Sequence, residues 1–223
     1  MKNYLVFILS TLILCASCVQ SVKKNPDAKF IDFINSFEEI KTSDILCLEE
    51  EHSGKKRLYN PMTKEEALSF VYKTSDTTVL YCNYAQRFGN DYTELTLPDK
   101  CFKIKIDDYF LIAYSSFKCQ NSNDYHRLMT LCIVDSGFNM RDCMLVIDYT
   151  SYYPAMSGLL NAKNGKIFIN KIENGKRKGL MYKINEDLKF ELIKEGEVVA
   201  RTEAFCDGLK KDIENLKWED FFE

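Results

Sequence analysis

The spacing of apolar residues changes character along the chain. Tyr4 to Leu14 is an eleven-residue apolar run. Phe30, Phe33, Ile34 and Phe37 then recur at i, i+3, i+4 and i+7, one face of a helix, which predicts a helix over residues 28–39. A second helix is predicted over residues 63–72. It opens on Thr63-Lys64-Glu65-Glu66, a capping box in which the Thr63 hydroxyl accepts from the Glu66 amide and the Glu66 carboxylate accepts from the Thr63 amide. Ala67, Leu68, Phe70 and Val71 supply its inner face.

From there the period falls to two. Val79 to Tyr84 is a β-branched and aromatic run, and Phe102, Ile104 and Ile106 alternate with Lys103 and Lys105 as in a half-buried strand. Asp107-Asp108 makes a turn. Tyr109 to Tyr114 is apolar throughout, the mark of a central strand covered on both faces. Leu128 to Val134 and Cys143 to Ile147 form a hairpin about Asp135-Ser136-Gly137. Turn signals follow at Asn164-Gly165, Asn174-Gly175, Asn185-Glu186-Asp187 and Glu195-Gly196. Asn-Gly supplies two positive φ angles, so the strands between these turns are joined as tight hairpins and must run antiparallel. Leu209, Ile213 and Leu216 predict a last helix over 207–220, with Trp218, Phe221 and Phe222 packing back on the sheet. The expected fold is mainly β (α+β): a single antiparallel β-meander sheet with a few flanking helices, in one globular domain spanning 29–223.

The apolar run at the start changes the picture of where that domain sits. Lys2 precedes it and Leu14-Cys15-Ala16-Ser17-Cys18 follows it. A basic start, a short apolar stretch and small residues before a cut make an export signal, too short to be a stable membrane span. Ala16-Ser17-Cys18 resembles the lipobox of bacterial lipoproteins, although Cys15 stands where that pattern usually has Leu. The resemblance implies cleavage after residue 17 and lipid on Cys18. Residues 18–28 then form a polar tether reaching at most roughly 35 Å.

Composition narrows the classes. The chain is 46% hydrophobic and 13% aromatic, as a folded domain requires. Its formal charge is −3 with the signs interspersed, and no basic stripe exists to neutralise phosphates, so nucleic acid is excluded as a partner. Of nine cysteines, Cys47, Cys82, Cys101, Cys119, Cys132, Cys143 and Cys206 lie beyond the lipobox. Their spacing fits no zinc pattern, and their place inside apolar runs predicts buried, reduced thiols. Cys101 with Cys119 is a candidate disulfide. Cys132 and Cys143 flank a hairpin turn. A three-residue turn with Gly137 left-handed faces Cys132 toward Met140 and forbids a bridge to Cys143, whereas a two-residue turn at Gly137-Phe138 would allow it. The expectation is no bridge.

Catalytic signatures are absent from the sequence: no G-x-S-x-G elbow, Gly-rich phosphate loop or H-E-x-x-H occurs. His52 follows Glu49-Glu50-Glu51 and reads as a solvated loop, His126 as a surface histidine, and Asp107-Asp108 as a plain turn rather than a catalytic carboxylate pair. No cofactor or metal is implied. Tyr149-Thr150-Ser151-Tyr152-Tyr153-Pro154 is the segment most suited to recognition, since tyrosines add rigid contact area with a polar tip. Tyr149, Tyr152 and Tyr153 are the candidate ligand-binding residues.

The layout of lipobox, Phe-rich helix at Phe30 to Ile40, capped helix at Thr63 to Tyr72, strand pair about Ile106 and Tyr109, and hairpin about Asp135 to Gly137 resembles a group of lipoproteins from Bacteroidetes. No activity belongs to that group as a whole, so the resemblance implies a fold and an address but no site residues. The expected function is a lipid-anchored cell-envelope protein, on the outer membrane, acting as a non-enzymatic binding or scaffold module toward an envelope protein or glycan. A surface module for glycans or small ligands and a hydrolase of unrecognised type are the alternatives.

Overall fold

A computed structural model describes residues 27–40, 45–48, 60–85, 91–121, 124–150, 154–198 and 222. Cys18, the Glu49 to His52 segment, Tyr152, Tyr153 and the expected last helix lie outside these residues.

The fold is one antiparallel sheet. Eight strands follow in chain order across it: β4 (Asp99–Ile106), β5 (Tyr109–Asn121), β6 (Asp124–Asp135), β7 (Met140–Thr150), β8 (Pro154–Asn161), β9 (Lys166–Glu173), β10 (Lys176–Ile184) and β11 (Phe190–Glu197). The short β1 (Ile45–Cys47) pairs with β8 at Leu159 to Asn161 and completes nine strands. Strands β2 (Tyr81–Ala85) and β3 (Asp91–Leu95) form a separate hairpin. The meander expected from the turn signals is therefore present. Asn174 and Gly175 adopt φ of 52° and 76°, the paired positive angles of the tightest hairpin turn. Asp107, also left-handed at φ 46°, closes the β4–β5 turn with Asp108, and both are exposed.

One expected turn is wrong. Glu195-Gly196 lies inside β11, where Gly196 pairs with Gly179. Glycine permits a close approach there: a Cβ on Gly196 would stand 3.0 Å from Cδ1 of Phe222, whose ring packs edge-on against Phe168. Phe222 thus packs back on the sheet as expected.

Bulges let the sheet curl. Register shifts interrupt the β4–β5, β5–β6, β6–β7, β7–β8 and β10–β11 ladders, and each adds local twist. The half of the sheet made of β4–β7 and the half made of β8–β11 share one apolar core. Phe102, Leu111, Met129 and Leu131 from the first half pack in the same cluster as Leu160, Ile167, Ile169 and Leu180 from the second. The halves also meet at their ends: the Phe190 amide donates to Asp142 Oδ2 at 3.0 Å.

Helices cover the other face of the first half. Helix α1 (Ala28–Asn35) is capped by Asp27, whose carboxylate accepts from the Lys29 amide. It is shorter than expected. The Ser36 hydroxyl donates to the Phe33 carbonyl at 2.6 Å, and the chain then extends. Residues 38–40 run along the β4 edge, the Lys103 amide donating to Glu38 O and the Ile40 amide to Lys103 O, both at 2.8 Å. That pairing covers an edge otherwise open to aggregation. Helix α2 spans Lys64–Glu66 and continues with wider π winding over Ala67–Tyr72. Both capping-box bonds form, at 3.1 Å and 2.7 Å. The helices meet through Phe33 and Phe70, stacked with ring centres 4.7 Å apart, and pack on Ile112, Tyr114, Cys132 and Val134. Residues 111–114 of β5 are buried on both faces, as the apolar run implied, while Tyr109 and Phe110 at its start are half-buried and the burial extends to Ser115 and Ser116.

The cysteine expectation is overturned. Cys132 and Cys143 face each other across the β6–β7 ladder, with Cα atoms 4.1 Å apart, and are joined in a disulfide. Two features shift the register from the one expected. Phe138, not Gly137, is the left-handed residue at φ 58°, and the loop closes two residues later than expected, with Val134 paired to Met140. A bulge then skips Arg141, pairing Ile133 with Asp142. Asp135 stabilises this loop by accepting from the Asn139 amide at 2.8 Å and from its side chain at 3.0 Å. Cys47 is disulfide-bonded as well. Cys101 is buried at the β4 bulge between Lys100, paired with Tyr114, and Phe102, paired with Ala113, while Cys119 pairs with Tyr125, so the register does not bring Cys101 to Cys119.

Candidate functional site

Side chains directly opposite in an antiparallel sheet share a face. Two adjacent rows matter at the end of the first half. Asp99, Ser115, Met129 and Ile147 form one row across β4 to β7, and Phe117, Arg127 and Tyr149 the next across β5 to β7. Met129 and Ile147 belong to the core between the two halves, so both rows face inward, at the rim.

This rim is polar where the rest of that face is apolar. Ser115 is 1% exposed and its hydroxyl has no hydrogen-bond partner. Asp99 Oδ1 and Arg127 Nε are buried without one too. A buried polar atom left unpaired costs about 1–3 kcal/mol, so three together on one face are a conspicuous departure from the rule that buried polar groups are bonded. Burial pushes the Asp99 carboxyl above its usual range, and the nearby positive charge of Arg127 only partly offsets this. The Arg127 guanidinium carbon lies 5.8 Å from the centre of the Phe117 ring, a cation–π contact. On its other side comes Tyr149, 43% exposed.

Among the sequence candidates, Tyr149 therefore ends β7 within this constellation. The backbone register continues from Tyr149 to Pro154 at the start of β8. The site's other members were not singled out in the sequence, because they are separated along the chain and only the register unites them. A faint signal existed: Ser115 and Arg127 are polar at positions whose i±2 neighbours, Ala113 and Met129, belong to the buried face.

His126 is not the surface histidine expected. Its Nδ1 lies 2.7 Å from Asp148 Oδ1, with the two side chains only 19% and 25% exposed. Being adjacent to Arg127 on one strand, it faces the opposite side of the sheet. The described residues contain no group of three or more His, Cys, Asp or Glu placed to hold a metal ion.

No family model matches the chain, and neither a curated protein nor a solved structure is significantly similar to it.

Proposed function

We propose that the chain is an exported cell-envelope lipoprotein, anchored through Cys18, whose sheet acts as a non-enzymatic binding module. Ala16-Ser17-Cys18 supports the address, and the likeness in layout to Bacteroidetes lipoproteins agrees with it. One observation carries the binding role. Asp99 Oδ1, Ser115 Oγ and Arg127 Nε are buried without partners at the rim where Tyr149 is exposed. Groups arranged this way lower the stability of the closed fold, so a ligand that draws the rim open beside Tyr149 would gain the bonds they lack.

A thermal-shift screen over defined ligand classes tests this: neutral and charged oligosaccharides, amino acids and short peptides. A class that raises the midpoint of the wild type but not of Arg127→Met is the expected result. A midpoint unmoved by every class, or a shift that persists in the variant, overturns the role. For the address, metabolic labelling with a clickable fatty acid is expected to mark the wild type and not Cys18→Ser. Labelling that survives there but is lost in Cys15→Ala would move the anchor.

A second reading, hydrolysis, is favoured by the His126–Asp148 pair alone, since a carboxylate fixing a histidine tautomer is half of a general-base device. Turnover of ester or glycoside probes that disappears in His126→Gln would establish it.

A further inference from the structure

We propose that the anchored domain rests on the membrane through an apolar patch of Val79, Tyr81 and Leu95, so that the partner of this face is a phospholipid bilayer. The inference goes beyond the binding module and rests on the Cys18 anchor of the proposed function.

The first argument is the patch itself. Leu80 is fully buried among the helices, in one cluster with Phe33, Ile34, Phe37 and Ala67. Its two neighbours along the chain turn outward instead: Val79 is 39% exposed and Tyr81 40%. Tyr81 pairs with Leu95 across the β2–β3 ladder, and Leu95 is 39% exposed as well. Directly opposed residues share a face, so Tyr81 and Leu95 stand side by side, with Val79 two residues before. Single exposed apolar residues are ordinary, whereas three gathered at the base of one hairpin mark a surface for contact. All three are uncharged, which suits an apolar partner. Tyrosine suits a bilayer boundary in particular, because its ring enters the apolar layer while its hydroxyl stays among the headgroups.

The second argument is place. The chain from Cys18 to Asp27, the cap of α1, reaches at most roughly 35 Å, and it ends on the helical layer. Phe30 of α1 packs on Phe70 of α2 with ring centres 5.3 Å apart. The short helical turn Thr77–Leu80, which carries Val79, lies against the same stretch of α2. Tether and patch therefore leave the domain from one layer. Beneath that layer come the first half of the sheet, the shared core and the second half. Ile172 of β9, 45% exposed, alternates with the core residues Ile167 and Ile169 and so faces out on the opposite side of the domain. Three side chains make a weak contact for a free domain. A tether of this length holds them at the surface at a high effective concentration, so they suffice to orient it.

Fluorescence quenching on vesicles tests the proposal. The chain has one tryptophan, Trp218. Tyr81→Trp and, separately, Ile172→Trp are made in a Trp218→Phe background, and each lipidated protein is reconstituted on phosphatidylcholine vesicles whose acyl chains carry bromine near the headgroups. Apolar side chains at an interface reach roughly 5–10 Å into that region. The expected result is loss of fluorescence in the Tyr81→Trp protein and none in the Ile172→Trp protein, alike at low salt and at about 0.5 M because no charge is neutralised. Adding Val79→Ser and Leu95→Ser to Tyr81→Trp should restore the fluorescence. Quenching in neither protein, in both equally or in Ile172→Trp alone overturns the proposal. Quenching of Tyr81→Trp that persists once Val79 and Leu95 are replaced overturns it too, since the tether alone would then account for it. The anchor is scored apart, by flotation with the vesicles. A protein that does not float sinks the Cys18 anchor, and the patch is then read with residues 1–18 replaced by a histidine tag held on a nickel-chelating lipid. Quenching of Tyr81→Trp there keeps the patch, and its absence overturns it.

Discussion

One buried ion pair, Glu66 with Lys100, adds to the apolar packing that holds the helical layer on the sheet. Lys100 Nζ donates to Glu66 Oε1 at 2.7 Å, and the side chains are only 7% and 19% exposed. The same carboxylate closes the capping box through its other oxygen. Lys100 also lies 5.7 Å from the centre of the Phe33 ring, under α1. Glu66→Ala leaves a buried ammonium without its partner, which costs about 3–5 kcal/mol, and removes a cap worth roughly 1 kcal/mol more. Lys100→Met replaces the charge by a side chain of similar volume. In the double variant the unpaired charge is gone and only the cap is lost, so its cost falls back to roughly 1–2 kcal/mol. Urea denaturation followed by far-UV circular dichroism measures all three against the wild type. The expected pattern is strong non-additivity, with the double variant more stable than Glu66→Ala alone. Costs that simply add, or a Glu66→Ala cost below about 1 kcal/mol, would show that the pair is solvated and refute the reasoning. The pair also gives a pH signature. Burial alone would raise the Glu66 carboxyl, but the bonds from Lys100 and Thr63 and the attraction of the Lys100 charge outweigh it and hold the group below its usual range. Its contribution is thus complete above the ordinary carboxylate range of about 4.3 and is lost as pH falls through the lower folded value.

Further outcomes follow from other parts of the fold. Peptide mapping without reductant should recover Cys132 linked to Cys143, and Cys143→Ser should lower stability by roughly 2–4 kcal/mol. Gly165→Ala places a side chain at φ 65° with its Cβ 2.9 Å from the Tyr109 hydroxyl, so a loss of about 1–3 kcal/mol is expected in thermal denaturation. Burial, with the charges of Asp107 and Asp108, lifts the Tyr109 phenol to about 12, so the unfolded chain releases this proton first. Stability should therefore fall as pH rises from about 10, and fall less steeply in Tyr109→Phe, as alkaline denaturation curves would reveal.

How far the sequence discloses this molecule depends on whether the information is local. The capping box at Thr63, the Asn174-Gly175 turn and the uniformly apolar Tyr109 to Tyr114 strand each depend on near neighbours, and each appears as expected. The errors concern register and long-range contact. Gly196 looks like a turn residue until Phe222 is found occupying the space above it. The Cys132–Cys143 bridge depends on which residue of one loop turns left-handed and on a single bulge at Arg141, neither of which composition dictates. Asp99, Ser115 and Arg127 come together only because three strands align, and His126 meets Asp148 across a ladder in the same way. Tyr149, expected in a loop between two strands, instead lies near the end of β7 and is exposed there.

Asp99 offers the most direct test of whether this rim is a site rather than a fault in packing. Its carboxyl is raised in the folded state, so the native protein binds a proton more readily than the unfolded chain, and ionisation of Asp99 destabilises the fold as pH rises through that window. Thermal denaturation of Asp99→Asn against the wild type at neutral pH, with and without the bound ligand, reads both consequences at once. The expected result is a higher midpoint for the empty variant together with a weakened ligand-induced shift. An empty variant less stable than the wild type, or a ligand-induced shift of unchanged size, would contradict the assignment of Asp99 to a binding site.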